Sequence, residues 1–134
     1  MPVMPALSED HCMATVLQQV PGFQAQWDEH LAAHLGEPTD LVDDLAELAA
    51  YAHALMAGGQ DADLRSVLVV AEQLLHDGSA AVQDAVCSGF LESLADPLLP
   101  GEPGLARLLA GLGPASRAYL RHWQGFGGRR LPGL

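Results

Sequence analysis

Four carboxylates are concentrated in the segment DLVDDLAELAAY. They are Asp40, Asp43, Asp44 and Glu47. Separations of three and four residues bring side chains together on a helix, and clustered carboxylates can hold a metal ion, exchange protons or attract a basic protein. On a helical wheel the four carboxylates and Tyr51 lie within about 100° of one another and roughly 125° from the apolar stripe of the same helix. We therefore predict that these five residues form an exposed acidic ridge.

Three interpretations of the acidic ridge stay open. It can be a solvated helix start, because the helix dipole favours carboxylates there, although each like-charge pair costs about 0.2–0.5 kcal/mol. It can be a docking surface for a basic protein, with Tyr51 as an aromatic contact. A metal site built from carboxylates alone is the least favoured interpretation. The residues predicted to bind a partner are Asp40, Asp43, Asp44, Glu47 and Tyr51.

A pair of histidines, His30 and His34, lies one helical turn apart in the segment WDEHLAAH. Two imidazole nitrogens on one face suit a metal, but the segment does not follow the HExxH order and no third ligand is evident. We therefore interpret them as residues on the flank of an amphipathic helix and predict no metal or other cofactor. No serine lies in GxSxG, and a chain without lysine cannot form a Walker A loop. The chain is predicted not to be an enzyme.

Helical periodicity runs through the chain and is interrupted by glycine and proline. In the second helix, Phe23, Trp27, Leu31 and Leu35 recur at intervals of four and are predicted to form its inner stripe. The predicted helices cover about 8–20, 23–35, 40–57, 62–76, 80–95, 104–112 and 115–124. This pattern predicts an all-α single domain, either an antiparallel helical bundle or a short HEAT-like stack of five to seven helices. Residues 1–124 are assigned to the helical domain and 125–134 to a flexible tail containing glycine and arginine.

Charge is distributed very unevenly along the 134 residues. There are 17 acids and six arginines, with a net charge of −11. Residues 1–106 contain all the acids and a single arginine, Arg65, whereas residues 107–134 contain the other five arginines and no acid. An acidic body repels nucleic acid and anionic membranes and accelerates encounter with basic partners. We therefore expect a basic protein as partner, and neither nucleic acid nor a membrane; the oligomeric state stays open.

Arginines alternate with aromatic residues near the C-terminus, in RAYLRHWQGFGGRR. Such a mixture can bind nucleic acid. With an acidic body beside it, the favoured interpretation is an amphipathic last helix with Tyr119, Leu120 and Trp123 inward and its arginines facing the acids.

The longest strongly apolar run covers only residues 67–71, far short of the ~20 residues of a membrane span. The N-terminal residues have no basic region or long apolar core, so we expect no secretory signal and a cytoplasmic protein.

The two cysteines, Cys12 and Cys87, are widely separated and are expected to be reduced, buried thiols.

The segment from Pro21 to Ala95 resembles a group of small, all-helical, uncharacterised bacterial proteins. The resemblance is carried by PGFQAQW, by GGQDADLRSVLVVAEQLLHDG and by AAVQDAVCSGFLESL. The shared sequence pattern extends over two helices. In this chain its positions are occupied by Glu72, Leu74, Leu75, Asp77, Gly78, Val82, Gly89, Phe90, Leu91, Glu92 and Leu94.

Many proteins of this kind look like immunity proteins. The resemblance implies an antitoxin that neutralises a basic bacterial toxin by occluding its active site. A HEAT-like adaptor in a cytoplasmic complex is the alternative.

Gly89 is expected to let a neighbouring helix approach closely, and Glu72 and Glu92 are expected to bond arginines or backbone N–H groups.

Overall fold

The computed structural model describes residues 5–98, 102–127 and 130–134. Within these ranges the chain forms seven helices and no strand, which confirms the predicted all-α architecture. The helices are α1 (Glu9–Gln19), α2 (Gln24–Ala33, after a 3₁₀ turn at Pro21–Phe23), α3 (Leu41–Ala57), α4 (Asp61–Asp77), α5 (Ala80–Ala85, a π-helical turn at Val86–Leu91, then Glu92–Ala95), α6 (Pro103–Gly111) and α7 (Pro114–Gly125).

Two of the predicted helix starts are stabilised by side-chain caps. The hydroxyl of Ser79 accepts a hydrogen bond from the Val82 N–H at 3.3 Å, and Asp40 Oδ1 accepts one from the Val42 N–H at 2.9 Å. Such caps satisfy N–H groups that have no partner within the helix. Asp61, by contrast, is the first residue of α4 rather than its cap.

The core is a continuous apolar cluster at the centre of the bundle. α3, α4 and α5 supply most of it, with buried side chains also from α1, α6 and α7. Phe23 and Phe90 are its largest fully buried side chains. Burying an apolar side chain of the size of Leu or Phe contributes about 1.5–3 kcal/mol, so this cluster dominates the stability of the domain.

Gly89 lies in the π-helical turn of α5, directly against the start of α3. A Cβ atom at this position would lie 2.6 Å from the carbonyl oxygen of Val42 and 3.1 Å from its Cα atom. A side chain larger than hydrogen would therefore push the two helix backbones apart. The predicted packing role of Gly89 is confirmed.

Glu72 on α4 anchors the beginning of α7. Its carboxylate accepts hydrogen bonds from the N–H groups of Ala115 and Ser116, at 2.8 and 2.9 Å, and from the Ser116 hydroxyl at 3.0 Å. Burial by itself would raise the pKa of Glu72, but these hydrogen bonds and nearby His76 outweigh it and leave the pKa lowered. The expected bonding to backbone N–H groups is therefore confirmed.

The inner face of α7 matches the predicted one. Leu120 is buried, Trp123 is half-buried, and the half-buried Tyr119 donates a hydrogen bond to Glu92. Burial and the charge of Glu92 raise the pKa of Tyr119. Glu92 therefore links α5 to α7 through a tyrosine rather than through an arginine.

Two arginines of the C-terminal half, Arg107 and Arg117, contact backbone carbonyls. Arg107 donates to the Met56 carbonyl at 2.7 Å and lies 3.6 Å from Asp61, and Arg117 donates to the carbonyls of Leu109 and Gly133. In the described part of the chain, Arg107 thus makes the one arginine–carboxylate ion pair.

Part of the segment after α7 lies against the helices. Leu131 is 2% exposed, and its N–H donates to Gln124 at 2.9 Å. The division of the chain into a domain and a flexible tail stays a prediction. None of the helices described here combines the length and the apolarity needed to cross a bilayer.

Candidate protein-binding surface

The acidic ridge of α3 is covered in part by α2. Asp44 is only 5% exposed, and Glu47 and Tyr51 are half-buried, whereas Asp40 and Asp43 are exposed. The prediction that all five residues are exposed is therefore wrong for Asp44. A helical wheel locates the core face of one helix, but it contains no information on a neighbour that packs along the flank.

His30 is the residue of α2 that lies deepest against the ridge. Its Nε2–H donates to Asp44 Oδ1 at 2.8 Å, and the side chains of both residues are less than a tenth exposed. Its Nδ1 lies 3.8 Å from Glu47 Oε2. The buried carboxylate of Asp44 is thus satisfied by an imidazole, which removes most of the penalty of burying it.

Two further contacts attach α2 and the 3₁₀ turn before it to α3. The side-chain amide of Gln26 donates to the carboxylate of Glu47 at 3.0 Å. The rings of Phe23 and Tyr51 pack with their centroids 5.4 Å apart. Burial, followed by the charge of Asp63, raises the pKa of Tyr51, so this residue stays a neutral phenol. Half of the ridge therefore binds the chain's own second helix.

The paired histidines do not form a metal site in the described residues. His30 is occupied by Asp44, and the Nδ1–H of His34 donates to the His30 carbonyl at 2.8 Å. Across the part of the chain that the structure covers, no three His, Cys, Asp or Glu side chains are grouped so that they could hold a metal ion. The two histidines instead organise α2 and its C-terminal end.

Both cysteines are free thiols. Burial, with smaller contributions from neighbouring carboxylates, raises the pKa of Cys12 and of Cys87 to about 11. Because the thiolate is the nucleophilic form, both are poor nucleophiles at neutral pH. Cys87 is half-buried rather than fully buried.

The apolar row of α2 turns progressively out of the core. Phe23 is fully buried and Trp27 half-buried, but Leu31 is 40% exposed and Leu35 is 89% exposed. The predicted inner stripe is therefore wrong for its last two members. Residues four apart on an α-helix are offset by about 40°, which turns Leu31 outward relative to Trp27, and Leu35 lies beyond the end of α2 at Ala33. The outward turn of Leu31 could have been read from the sequence.

Leu35 has an unusual backbone conformation. Its φ angle is +50°, in the left-handed region that is disfavoured for a bulky side chain, and Gly36 follows with φ of +81°. Helix ends commonly place glycine in this conformation. A leucine there costs roughly 1–2 kcal/mol of strain, and its exposed side chain recovers little of this within the fold.

Exposed carboxylates are frequent on α2, in the connection that follows it and at the start of α3. The exposed carboxylates of this region are Asp28, Glu29, Glu37, Asp40 and Asp43. No arginine or lysine precedes Arg65 in the sequence, so none of the helices α1, α2 and α3 carries a lysine or arginine. We call residues 28–43, which carry these five carboxylates and no arginine or lysine, the acidic segment.

This fold and surface define an all-helical domain with a strongly acidic face. Residues 13–126 match the model of a family described as a domain of unknown function, DUF7674. The chain belongs to this family. No curated protein and no solved structure matches the chain.

Proposed function

We propose that this protein is a non-enzymatic binding protein that neutralises a basic bacterial toxin, acting as an immunity protein in the cytoplasm. The observation that carries the proposal is the acidic segment, residues 28–43, which has five exposed carboxylates and no arginine or lysine. A surface of this kind suits a cationic protein and disfavours nucleic acid and anionic lipid.

The proposed mechanism has two steps. The net charge of −11 first steers a cationic toxin domain toward the acidic side of the bundle. The acidic segment then covers the basic active-site cleft of the toxin, so that substrate is excluded. Toxins that act on nucleic acid need basic clefts to hold phosphates, which makes them suitable targets for an acidic inhibitor.

Neutralisation in cells tests this function directly. The gene upstream of this one in its native genome is first examined for a secreted or multidomain toxin. The C-terminal domain of that toxin is then expressed in a heterologous bacterium, with and without this chain. We expect co-expression to restore growth and the two proteins to co-purify. A toxin that kills equally in both strains would contradict the proposal.

The adaptor alternative predicts a different outcome. Affinity purification from the native host, followed by mass spectrometry, should recover a basic toxin domain if the protein is an antitoxin. Recovery of an unrelated housekeeping complex, without any toxin, would favour the HEAT-like adaptor.

A further inference from the structure

We propose that the groove between α5 and α7 binds a guanidinium group, and that its source is an arginine side chain of a basic protein. The groove has a volume of about 460 Å³, within the range of roughly 300–1,000 Å³ that is usual for ligand sites. Four of the side chains that line it are those of Glu92, Asp96, Trp123 and Phe126. The site follows from the groove alone, whereas the choice of a protein as the source of the arginine rests on the proposed function.

One hydrogen bond sets the register of α7 on α5. The Tyr119 hydroxyl donates to the carboxylate of Glu92. Trp123 lies one helical turn beyond Tyr119, and Asp96 lies four residues beyond Glu92. The indole of Trp123 and the carboxylate of Asp96 consequently border the same groove.

The charge of the groove selects a cation. Among the described residues, the charged side chains that line it are the two carboxylates, of which Glu92 is half-buried and Asp96 exposed. Neither carboxylate forms an ion pair within the described part of the chain. Both helices also end beside the groove, α5 at Ala95 and α7 at Gly125, and the C-terminal end of a helix carries a partial negative charge.

Two aromatic side chains favour one kind of cation. Trp123 is half-buried, whereas Phe126 is 79% exposed and its ring packs on that of His122, with the centroids 4.6 Å apart. The faces of aromatic rings attract cations. A guanidinium group is planar, so it can stack on a ring while its N–H groups donate to carboxylates, whereas the ammonium group of lysine is a compact point charge. The groove therefore suits arginine better than lysine.

The first test uses Nα-acetyl-arginine amide, which represents an arginine within a protein chain. Two-dimensional NMR spectra of the ¹⁵N-labelled protein follow the indole N–H of Trp123, and the indole N–H of Trp27 on α2 is the internal reference. We expect the Trp123 signal and the amide signals of residues 88–96 to shift and reach saturation, while the Trp27 signal stays in place.

Two further probes identify the group that is bound. Nα-acetyl-citrulline amide has nearly the same shape as the arginine probe but no charge, and it should leave the spectrum unchanged. Nα-acetyl-lysine amide has the charge without the planar group, and it should bind more weakly than the arginine probe. Equal shifts with the citrulline probe would overturn the cation site, and equal or tighter binding of the lysine probe would overturn the assignment of a guanidinium group.

Variants of the groove connect binding to particular side chains. Asp96→Asn removes one charge and Phe126→Ala removes one ring, each from an exposed side chain, so the melting temperature should stay close to that of the wild type. We expect each variant to weaken binding of the arginine probe about twofold to fivefold.

Each variant has a matched control outside the groove. Asp84→Asn removes an exposed carboxylate of α5, and Val69→Ala shortens a side chain of α4 that is 54% exposed. Both should bind the probe like the wild type. Equal weakening in a variant and its control would mean that the groove makes no specific contribution and would overturn the proposal.

Toxin neutralisation distinguishes failure of this inference from failure of the proposed function. Weaker toxin binding by Asp96→Asn/Phe126→Ala than by Asp84→Asn/Val69→Ala supports both. Neutralisation by a protein whose groove does not bind the arginine probe would overturn the inference and leave the antitoxin function standing. Probe binding that depends on Asp96 and Phe126, in a protein that neutralises no toxin, would retain the guanidinium site and overturn the antitoxin function.

Discussion

At the scale of single residues, two carboxylates that look equivalent in the sequence have opposite environments. Asp43 and Asp44 are adjacent, yet Asp43 is exposed whereas Asp44 is buried and bonded to His30. Adjacent residues on a helix differ by about 100° in direction, which here separates solvent from the packed flank of α2. Charge counts alone do not distinguish a residue that holds the fold together from one that faces a partner.

Replacing each of these neighbours with alanine provides a direct test. We expect Asp44→Ala to lower the free energy of unfolding by about 1–3 kcal/mol, because it leaves the buried imidazole of His30 without its acceptor. Asp43→Ala should change it by less than about 0.5 kcal/mol. Chemical denaturation at neutral pH measures both. Equal effects would show that Asp44 has no special structural role.

Glu72 allows a second prediction, on the dependence of stability on pH. Its lowered pKa means that the folded state favours the ionised carboxylate. The stabilisation is fully present above the ordinary value of 4.5 and is lost as the pH falls through the lowered pKa. Glu72→Gln should therefore lower the free energy of unfolding by about 1 kcal/mol at neutral pH and less in acid.

Denaturation curves at neutral and acidic pH provide the measurement, and Asp84→Asn, an exposed carboxylate of α5, is the control. A loss of stability in Glu72→Gln that is the same at both pH values would rule out a role for the ionised form.

At the scale of elements, α3 packs closely against the π-helical turn of α5. Helices usually lie 8–10 Å apart because side chains separate them. Gly89 provides no side chain, and the carbonyl of Val42 occupies the space where one would be. The spacing of these two central helices therefore depends on the absence of a side chain at Gly89.

Adding one methyl group at Gly89 tests this dependence. We expect Gly89→Ala to destabilise the protein by about 1–3 kcal/mol, because backbone rather than a movable side chain must shift. Gly125→Ala is the matched control in α7, where a Cβ atom would meet nothing within 4 Å, and it should be neutral or slightly stabilising. Thermal melting of the two variants compares them; a neutral Gly89→Ala would contradict the close approach.

The elements themselves could be predicted from the sequence, because caps such as Ser79 and apolar spacing are local signals. The role of Gly89 could also be predicted, since a glycine within a helix calls for a packing reason. The partners of Asp44 and Glu47 could not be predicted, because they lie on α2 and the pairing depends on tertiary structure. The outward turn of Leu31 relative to Trp27 could have been derived from helical geometry, whereas Leu35 lies beyond the end of α2 with a positive φ angle that its spacing did not predict.

At the scale of the whole molecule, excess negative charge opposes folding. The net charge is −11, and in the described residues one arginine–carboxylate pair, Arg107 with Asp61, adds a local attraction. Like charges held close in the compact state repel one another, which favours the unfolded chain. The charge distribution that suits a basic partner thus reduces the stability of the free protein.

Ionic strength should reveal this repulsion. We expect added sodium chloride, from low to physiological concentration, to raise the free energy of unfolding by on the order of 1 kcal/mol, because salt screens surface charges. Potassium chloride should act equally, since the effect depends on ionic strength rather than on a specific ion. A fall in stability with either salt would mean that attractive pairs dominate the electrostatics.

Because α2 has no buried residue and is held by a few polar contacts and one aromatic edge, it has a smaller opening free energy than the central helices. Its amide hydrogens should therefore exchange with deuterium faster than those of α4, which contributes many buried side chains to the core. A partner seated on α2 would slow exchange there more than in the central helices. The least protected helix of the free protein would then become the most sensitive reporter of complex formation.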